Sequence, residues 1–432
     1  MALWSKGYSV DEAIHAFTVG DDPVRDRRLA PYDIVASIAH AKGLRKAGVL
    51  SASELAKLTR ALKALLKNAA AGRFAIRPEQ EDCHTAIEEA LVRKLGDLGK
   101  KIHAGRSRND QVQAALRLYQ KEHLGRVRHV VLDTARALVR LARKHEFIPM
   151  PGYTHTRKAM PSSVGLWAGA YAELLLDDAS LVEGVLRLAD RSPLGSGAGY
   201  GVSLPLDRAL VAREAGFSGV QENVLAVQNT RGKLEAAVLS ACGQVMLDLN
   251  RLATDLIGMS SEAFGFVTLP AKFCTGSSLM PNKKNPDVLE LVRAKYHVLL
   301  GHEFAVKSLL GNLTAGYHRD LQLTKGALMD GLDLTEASLT IMAKVIEGVG
   351  VDAAACRRAC TPELFATDEA LSLVKRGVPF RDAYRDVAAR IASLGAKDPV
   401  ASLKVKKSLG APGNLRLSGL GNRIRLMLKG DR

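Results

Sequence analysis

Val238-Leu239-Ser240-Ala241-Cys242-Gly243-Gln244-Val245-Met246-Leu247-Asp248-Leu249-Asn250-Arg251-Leu252-Ala253-Thr254-Asp255-Leu256 is the stretch on which the fold reading turns. Val238, Cys242, Val245, Leu249, Leu252 and Leu256 recur at steps of four and three, the seam of a long-helix bundle. The periodic segment is read as residues 222–259. Working outward, Pro286 suits the first turn of a helix, and Val288, Leu289, Leu291 and Val292 follow at helical spacing. A further helix is expected within 321–348. Upstream, residues 109–146 lack proline and read as one very long helix, and Pro161 opens another that lasts to about Arg191. Proline positions divide the rest, the first long proline-free stretch lying between Pro31 and Pro78. There Ser51 and Glu54 form a capping box before Leu55, Leu58, Leu62 and Leu65, with Gly72 as the stop. Alternating β-branched runs are nearly absent, so a large sheet is not expected.

The fold class predicted is all-α: an elongated bundle of long helices with small helical N- and C-terminal domains. The boundaries read as 1–108, 109–353 and 354–432, the middle segment being the oligomerising bundle. Helices this long rarely bury both faces in one subunit, so self-association is expected. The tail, 416–432, is glycine-punctuated and basic and is expected to be partly mobile.

Composition bounds the function. The chain has 432 residues, 47% hydrophobic and 25% charged, as in an ordinary globular protein. No run of about 18 apolar residues is present, so no membrane span is expected. The start, Met1 to Lys6, lacks the apolar core of a secretory signal. Five irregularly spaced cysteines form no disulfide framework or metal set, which points to reduced thiols and a cytoplasmic location. The net charge of +16 raises a nucleic-acid reading. The basic residues are spread beside Asp and Glu without aromatic interleaving, so a generally basic surface is favoured and no nucleic-acid partner is expected.

Four polar clusters sit between the helical patterns. His103-Ala104-Gly105-Arg106-Ser107-Arg108-Asn109-Asp110-Gln111 offers bidentate donors for carboxylates, with Asn109 placed to cap the following helix. Gly152-Tyr153-Thr154-His155-Thr156 puts a histidine in a loop, where acid–base work and a structural role are both open. The glycines of 195–201 suit either a flexible lid or a close backbone approach. Thr275-Gly276-Ser277-Ser278-Leu279-Met280-Pro281-Asn282-Lys283-Lys284-Asn285-Pro286 reads as an ordered loop carrying donors and cations for an anion. No phosphate loop, metal triad or nucleophile elbow accompanies them.

Those residues resemble a known family. Gly276-Ser277-Ser278-Leu279-Met280-Pro281 with Lys283, Asn285 and Pro286 is similar to the signature of the fumarase/aspartase superfamily. Lys283-Lys284-Asn285-Pro286-Asp287, the 103–111 cluster, Gly152 to His155, Glu81-Asp82 with His84, and Leu194 to Ala198 resemble its argininosuccinate lyase branch. Ala366-Thr367-Asp368 and Pro379-Phe380-Arg381 match too, and the matches keep family order over roughly residues 3–385.

The resemblance implies β-elimination of argininosuccinate to arginine and fumarate in arginine biosynthesis, with no cofactor and no metal. It also implies a homotetramer whose active sites are shared between subunits. By position, Ser277 resembles the catalytic serine, Lys283 the lysine that clamps a carboxylate, His155 the catalytic histidine and Glu290 its carboxylate partner. Ser107, Arg108, Asn109, Thr154 and Asn285 resemble substrate contacts. Tyr317, Gln322 and Lys325 resemble contacts to the amino-acid end, and Arg231 resembles a retained cation. Ser277 is read as the base and His155 as the acid, the opposite assignment staying open.

The chain departs from the family pattern at Trp4-Ser5-Lys6-Gly7-Tyr8, at Gly20, at Asn282, at 156–160 and at 228–233. The departures bear on the leaving group more than on the elimination. The alternative is therefore another fumarate-releasing lyase, acting on adenylosuccinate or a related N-substituted aspartate. A non-catalytic structural protein of the same family is set against the presence of Ser277, His155, Lys283 and Glu290.

Overall fold

A computed structural model describes residues 11–429, and the departure at Trp4 to Tyr8 lies outside them. Among the described residues it holds seventeen α-helices and three two-stranded sheets. The fold is all-α in class, with six long helices among the described residues: Asp22–Lys46, Arg108–Lys144, Val164–Ala189, Lys233–Met259, Asp287–Leu309 and Thr324–Gly348. All six seam residues from Val238 to Leu256 are buried. The Ser51–Glu54 capping box is formed, and the helix it starts ends at Ala70, two residues before left-handed Gly72.

The described chain divides into two compact units, each discontinuous in sequence. The first comprises 11–126, 182–241 and 300–332. Its core packs Ile34, Leu44, Leu58, Leu62, Ile87 and Leu91, and a second cluster holds Ala36, Ala114, Leu194, Val211 and Phe217. The second unit comprises 127–181, 242–299 and 333–429. Met150, Val164, Phe266 and Cys356 form one of its cores, and Ala370, Ala383 and Val387 another. No helix of the described residues is long and apolar enough to cross a membrane.

Several sequence expectations are corrected. Pro31 does not divide the chain. The Asp22–Lys46 helix runs through it, held by buried Leu29, Ala30, Ile34, Ala41 and Leu44, and this burial outweighs the one helix hydrogen bond that an interior proline removes. Pro161 does not open a helix. It faces Pro151 in a hairpin of Pro149–Thr154 and Arg157–Ser163, and the helix starts at Val164. There Ser163 Oγ accepts the Leu166 N–H at 3.0 Å as a cap.

The 222–259 segment is broken: a short helix, Val224–Asn229, precedes left-handed Gly232, after which Lys233–Met259 begins. The tail is a helix, Leu417–Lys429, anchored by Leu417, Leu420 and Ile424. Its amphipathic spacing outweighs its glycines.

Candidate active site

Ser107, not Asn109, caps the 37-residue Arg108–Lys144 helix. Its Oγ accepts the Asn109 N–H at 3.2 Å, and Asp110 Oδ1 accepts the Ser107 N–H at 3.0 Å. The serine fits because its short side chain folds back to the second helical amide while its own N–H is answered three residues on. Asn109 is thereby left free to line a cavity.

Asp110 is fully buried, and its other oxygen accepts the N–H groups of Gly195 at 3.1 Å and Gly197 at 3.0 Å. Gly195, Gly197, Gly199 and Gly201 all have positive φ. The glycine loop is therefore a close backbone approach around a carboxylate. Burial pushes the Asp110 carboxyl up to about 6, against the pull of those amides and of Arg106.

In the first unit, six sequence-predicted residues line one cavity of about 110 Å³: Arg108, Asn109, Arg231, Tyr317, Gln322 and Lys325. Lys325 is 2% exposed and is ion-paired with Asp26 and, at 3.0 Å, with Asp22. Burial works to lower the ammonium's pKa, but the two carboxylates outweigh it and hold it above the ordinary range. Arg231 stacks over the Tyr317 ring at 5.2 Å. Gln322 Nε2 donates to the carbonyls of Thr18 and Val19, both at 3.1 Å.

Arg108 Nη1 donates to Glu81 at 3.0 Å and to Asp82 at 3.2 Å. Glu81 sits at φ 63°, ψ −50° in a γ-turn closed by Asp82 N–H to the Gln80 carbonyl at 2.7 Å. A non-glycine residue there is strained, a condition that surrounding structure must hold in place. The cavity wall thus carries four carboxylates (Asp22, Asp26, Glu81, Asp82) and four cations (Arg108, Arg231, Arg319, Lys325).

Sequence reasoning gave no role to Asp22, Asp26 or Arg319. A signal was present: Asp22 and Asp26 are four apart on one helix face, both turned to Lys325. Asp26, Cys83 and His84 also lie within metal-binding reach of one another. Asp26 is already matched by Lys325 and His84 by Asp33.

The remaining predicted residues belong to the second unit. Thr154 and His155 stand at the tip of the hairpin, where His155 has φ 50° and Thr156 φ 60°. A two-residue hairpin loop with both central residues left-handed normally takes Asn-Gly. Here a histidine and a threonine carry that strain and expose the imidazole. Ser277, Lys283 and Asn285 share one loop, closed by reciprocal backbone hydrogen bonds between Thr275 and Asn285 at 2.8 and 3.2 Å. Ser277 Oγ accepts the N–H groups of Leu279 at 3.2 Å and Met280 at 3.0 Å. Glu290 lies in the first turn of the helix that follows. Among the described residues of one chain, no hydrogen bond or ion pair joins His155 to Glu290.

A family model described as Lyase matches residues 8–301. The argininosuccinate lyase of Sorangium cellulosum is 50% identical over 422 residues, covering 98% of each chain. That of Thermotoga neapolitana is 48% identical over 386 residues, covering 89% of this chain and 97% of the relative. Among solved structures, EDDS lyase in complex with formate superposes with a TM-score of 0.80 at 23% identity, covering 94% of this chain and 87% of that one. The class II fumarase of Schistosoma mansoni gives a TM-score of 0.73 at 15% identity, covering 89% and 94%. These two bear on the fold alone, while the full-length relatives settle the family: this chain belongs to the argininosuccinate lyases of the fumarase/aspartase superfamily.

Proposed function

We propose that this chain cleaves argininosuccinate to arginine and fumarate, with the cavity of the first unit taking the arginine end. The observation that carries this reading is the cavity's balance of four carboxylates against four cations, which suits a zwitterionic amino acid bearing a guanidinium. Asn109, Asn285 and Lys283 take the succinyl carboxylates.

Ser277 removes the proton from the carbon beside one of those carboxylates. The electrons move into the carboxylate, giving a doubly charged aci-carboxylate that Lys283 and Asn285 stabilise. As the carbon–carbon double bond forms, the carbon–nitrogen bond breaks and His155 returns a proton to the departing guanidine nitrogen. The step is redox-neutral. Two amide donors on Ser277 Oγ favour the base role, because they stabilise the alkoxide that a serine base requires. Glu290 orients the imidazole.

The working form is a homotetramer assembled through segment 109–353, with His155, Ser277 and Asn109 supplied by different subunits. Exposed apolar residues on the long helices support this: Leu174, Leu181 and Leu188 on one, Leu291, Val298 and Phe304 on another. Five unpaired thiols suit a cytoplasmic setting.

Ultraviolet absorbance of fumarate on adding argininosuccinate tests the activity. Faster release from adenylosuccinate or aspartate would transfer the assignment to another substrate. Mixing a His155→Asn variant with a Ser277→Ala variant, each inactive, is expected to restore a clear fraction of activity. A mixture as dead as its parents, with subunit exchange shown by mass, would count against shared sites.

A further inference from the structure

Glu81-Asp82 and His84 matched the family pattern, and the reaction above gives His84 no part. The local structure is more elaborate than a packed histidine needs. Asp82 caps the Cys83–Leu95 helix by accepting the Thr85 N–H at 2.8 Å, which sets His84 in the first turn. His84 Nδ1 meets Asp33 Oδ2 at 2.8 Å. Asp33 is fully buried and is held on its other sides by Gln111 Nε2, at 2.9 and 3.0 Å to its two oxygens. Arg106 reaches the same region through Ser37 Oγ at 2.7 Å. Burial opposes charge on both partners, but the pairing prevails: it holds the Asp33 carboxyl below the usual range and the His84 imidazole above it. An ionised carboxylate only accepts, so Nδ1 is the donor of that bond and the ring orientation is fixed.

Fixing Nδ1 determines where the other nitrogen goes. Asp33 is not part of the cavity wall and His84 is, so the edge of the ring opposite Asp33 is the one turned to the cavity. That edge carries Nε2, which is buried and has no hydrogen-bond partner, on a residue only 5% exposed. An orphaned polar atom at this depth is costly unless a ligand completes it. The ligand group is set by the sense of the missing hydrogen bond. Two of the cavity's cations are already matched: Arg108 by Glu81 and Asp82, Lys325 by Asp22 and Asp26. Asp33 answers the charge of His84, but the N–H at Nε2 is a donor with no acceptor, so the ligand atom that completes it is an acceptor such as a carboxylate oxygen. With the succinyl carboxylates assigned to Asn109, Asn285 and Lys283, the one anion left on the substrate is the α-carboxylate of its arginine end.

We propose that His84 is a substrate-binding residue, held by Asp33 so that its Nε2–H is donated to the α-carboxylate of the arginine moiety. The assignment rests on argininosuccinate being the substrate. It is separable from it, because it predicts which part of the product His84 reads. The test compares inhibition by arginine, by agmatine (arginine without its carboxylate) and by fumarate, in wild type and two variants. His84→Asn keeps a donor where Nδ1 meets Asp33 and removes the one at Nε2. His84→Gln restores a donor near the Nε2 position.

The expected result is that His84→Asn binds arginine about ten- to a hundredfold more weakly. Agmatine and fumarate should bind as before, and His84→Gln should recover most of the loss. A merely structural role would weaken all three ligands together and would not be rescued by glutamine. Unchanged arginine inhibition in His84→Asn, or equal loss for agmatine, overturns the assignment while wild-type turnover keeps the activity standing. Absence of wild-type turnover would overturn the activity itself.

Discussion

Ser277→Ala should lower turnover of argininosuccinate roughly a thousandfold, the middle of the range for a general base, with substrate affinity changed only a few-fold. The reason lies in the loop's construction. Its ends are pinned by the Thr275–Asn285 pair, and its frame is backbone, so removing one hydroxyl leaves Lys283 and Asn285 where they are. What is lost is an oxygen already holding two amide hydrogens, from Leu279 and Met280. Those donors answer the main difficulty of a serine base, its reluctance to ionise. They also remain in the alanine variant, now aimed at a methyl group. Single-turnover kinetics separate chemistry from binding: the burst of fumarate should vanish while equilibrium binding persists. Near-normal turnover would remove Ser277 from the proton transfer and give the base role to His155. Ser277→Cys supplies a more acidic but larger group, and partial activity there would support proton abstraction over a purely structural role.

How far the sequence disclosed this protein depends on how local each cause is. The helix seam from Val238 to Leu256 was legible because burial every three or four residues leaves its own period in the chain. The Ser51 cap was legible because both members sit three residues apart. The hairpin carrying His155 was not. Its strands contain Pro149, Pro151 and Pro161, and its turn has no glycine at either left-handed position, so every local cue for a hairpin is missing. Tertiary packing against Val164, Phe266 and Cys356 sets the strand that bears Met150.

The site divides in the same way. Ser277, Lys283 and Asn285 lie within nine positions and announce themselves. The cavity assembles Asp22, Glu81, Arg231 and Lys325 from segments far apart in sequence, and only the fold makes them neighbours. Asn109 illustrates an intermediate case: a polar residue before a helix suggests a cap, yet Ser107 with Asp110 satisfies the amides and frees Asn109 to line the cavity.

Lys325→Met should destabilise the chain by about 3–5 kcal/mol, the usual cost of removing one partner from a buried ion pair. Against a typical total of about 5–15 kcal/mol, that is a large share. Methionine fills nearly the same volume, so packing contributes little to the loss. The damage is electrostatic: Asp26, fully buried, and Asp22 lose the cation between them. Two consequences distinguish this from a generic core defect. First, the deficit should depend on pH. Burial already raises the Asp22 carboxyl above its ordinary value, with Lys325 opposing the rise. Without Lys325 the folded-state value climbs further. A carboxyl raised on folding contributes stability below its unfolded pKa and loses it as pH rises through the folded value. The difference from wild type should therefore be widest near neutrality and shrink on acidification. Second, adding Asp26→Asn to Lys325→Met should recover much of the loss, since a neutral pair has no orphaned charge. Denaturant midpoints at one fixed protein concentration measure both effects. A deficit independent of pH, with the double variant no better than the single, would mean that Lys325 acts through packing. The three charges would then have been kept for the ligand and not for the fold.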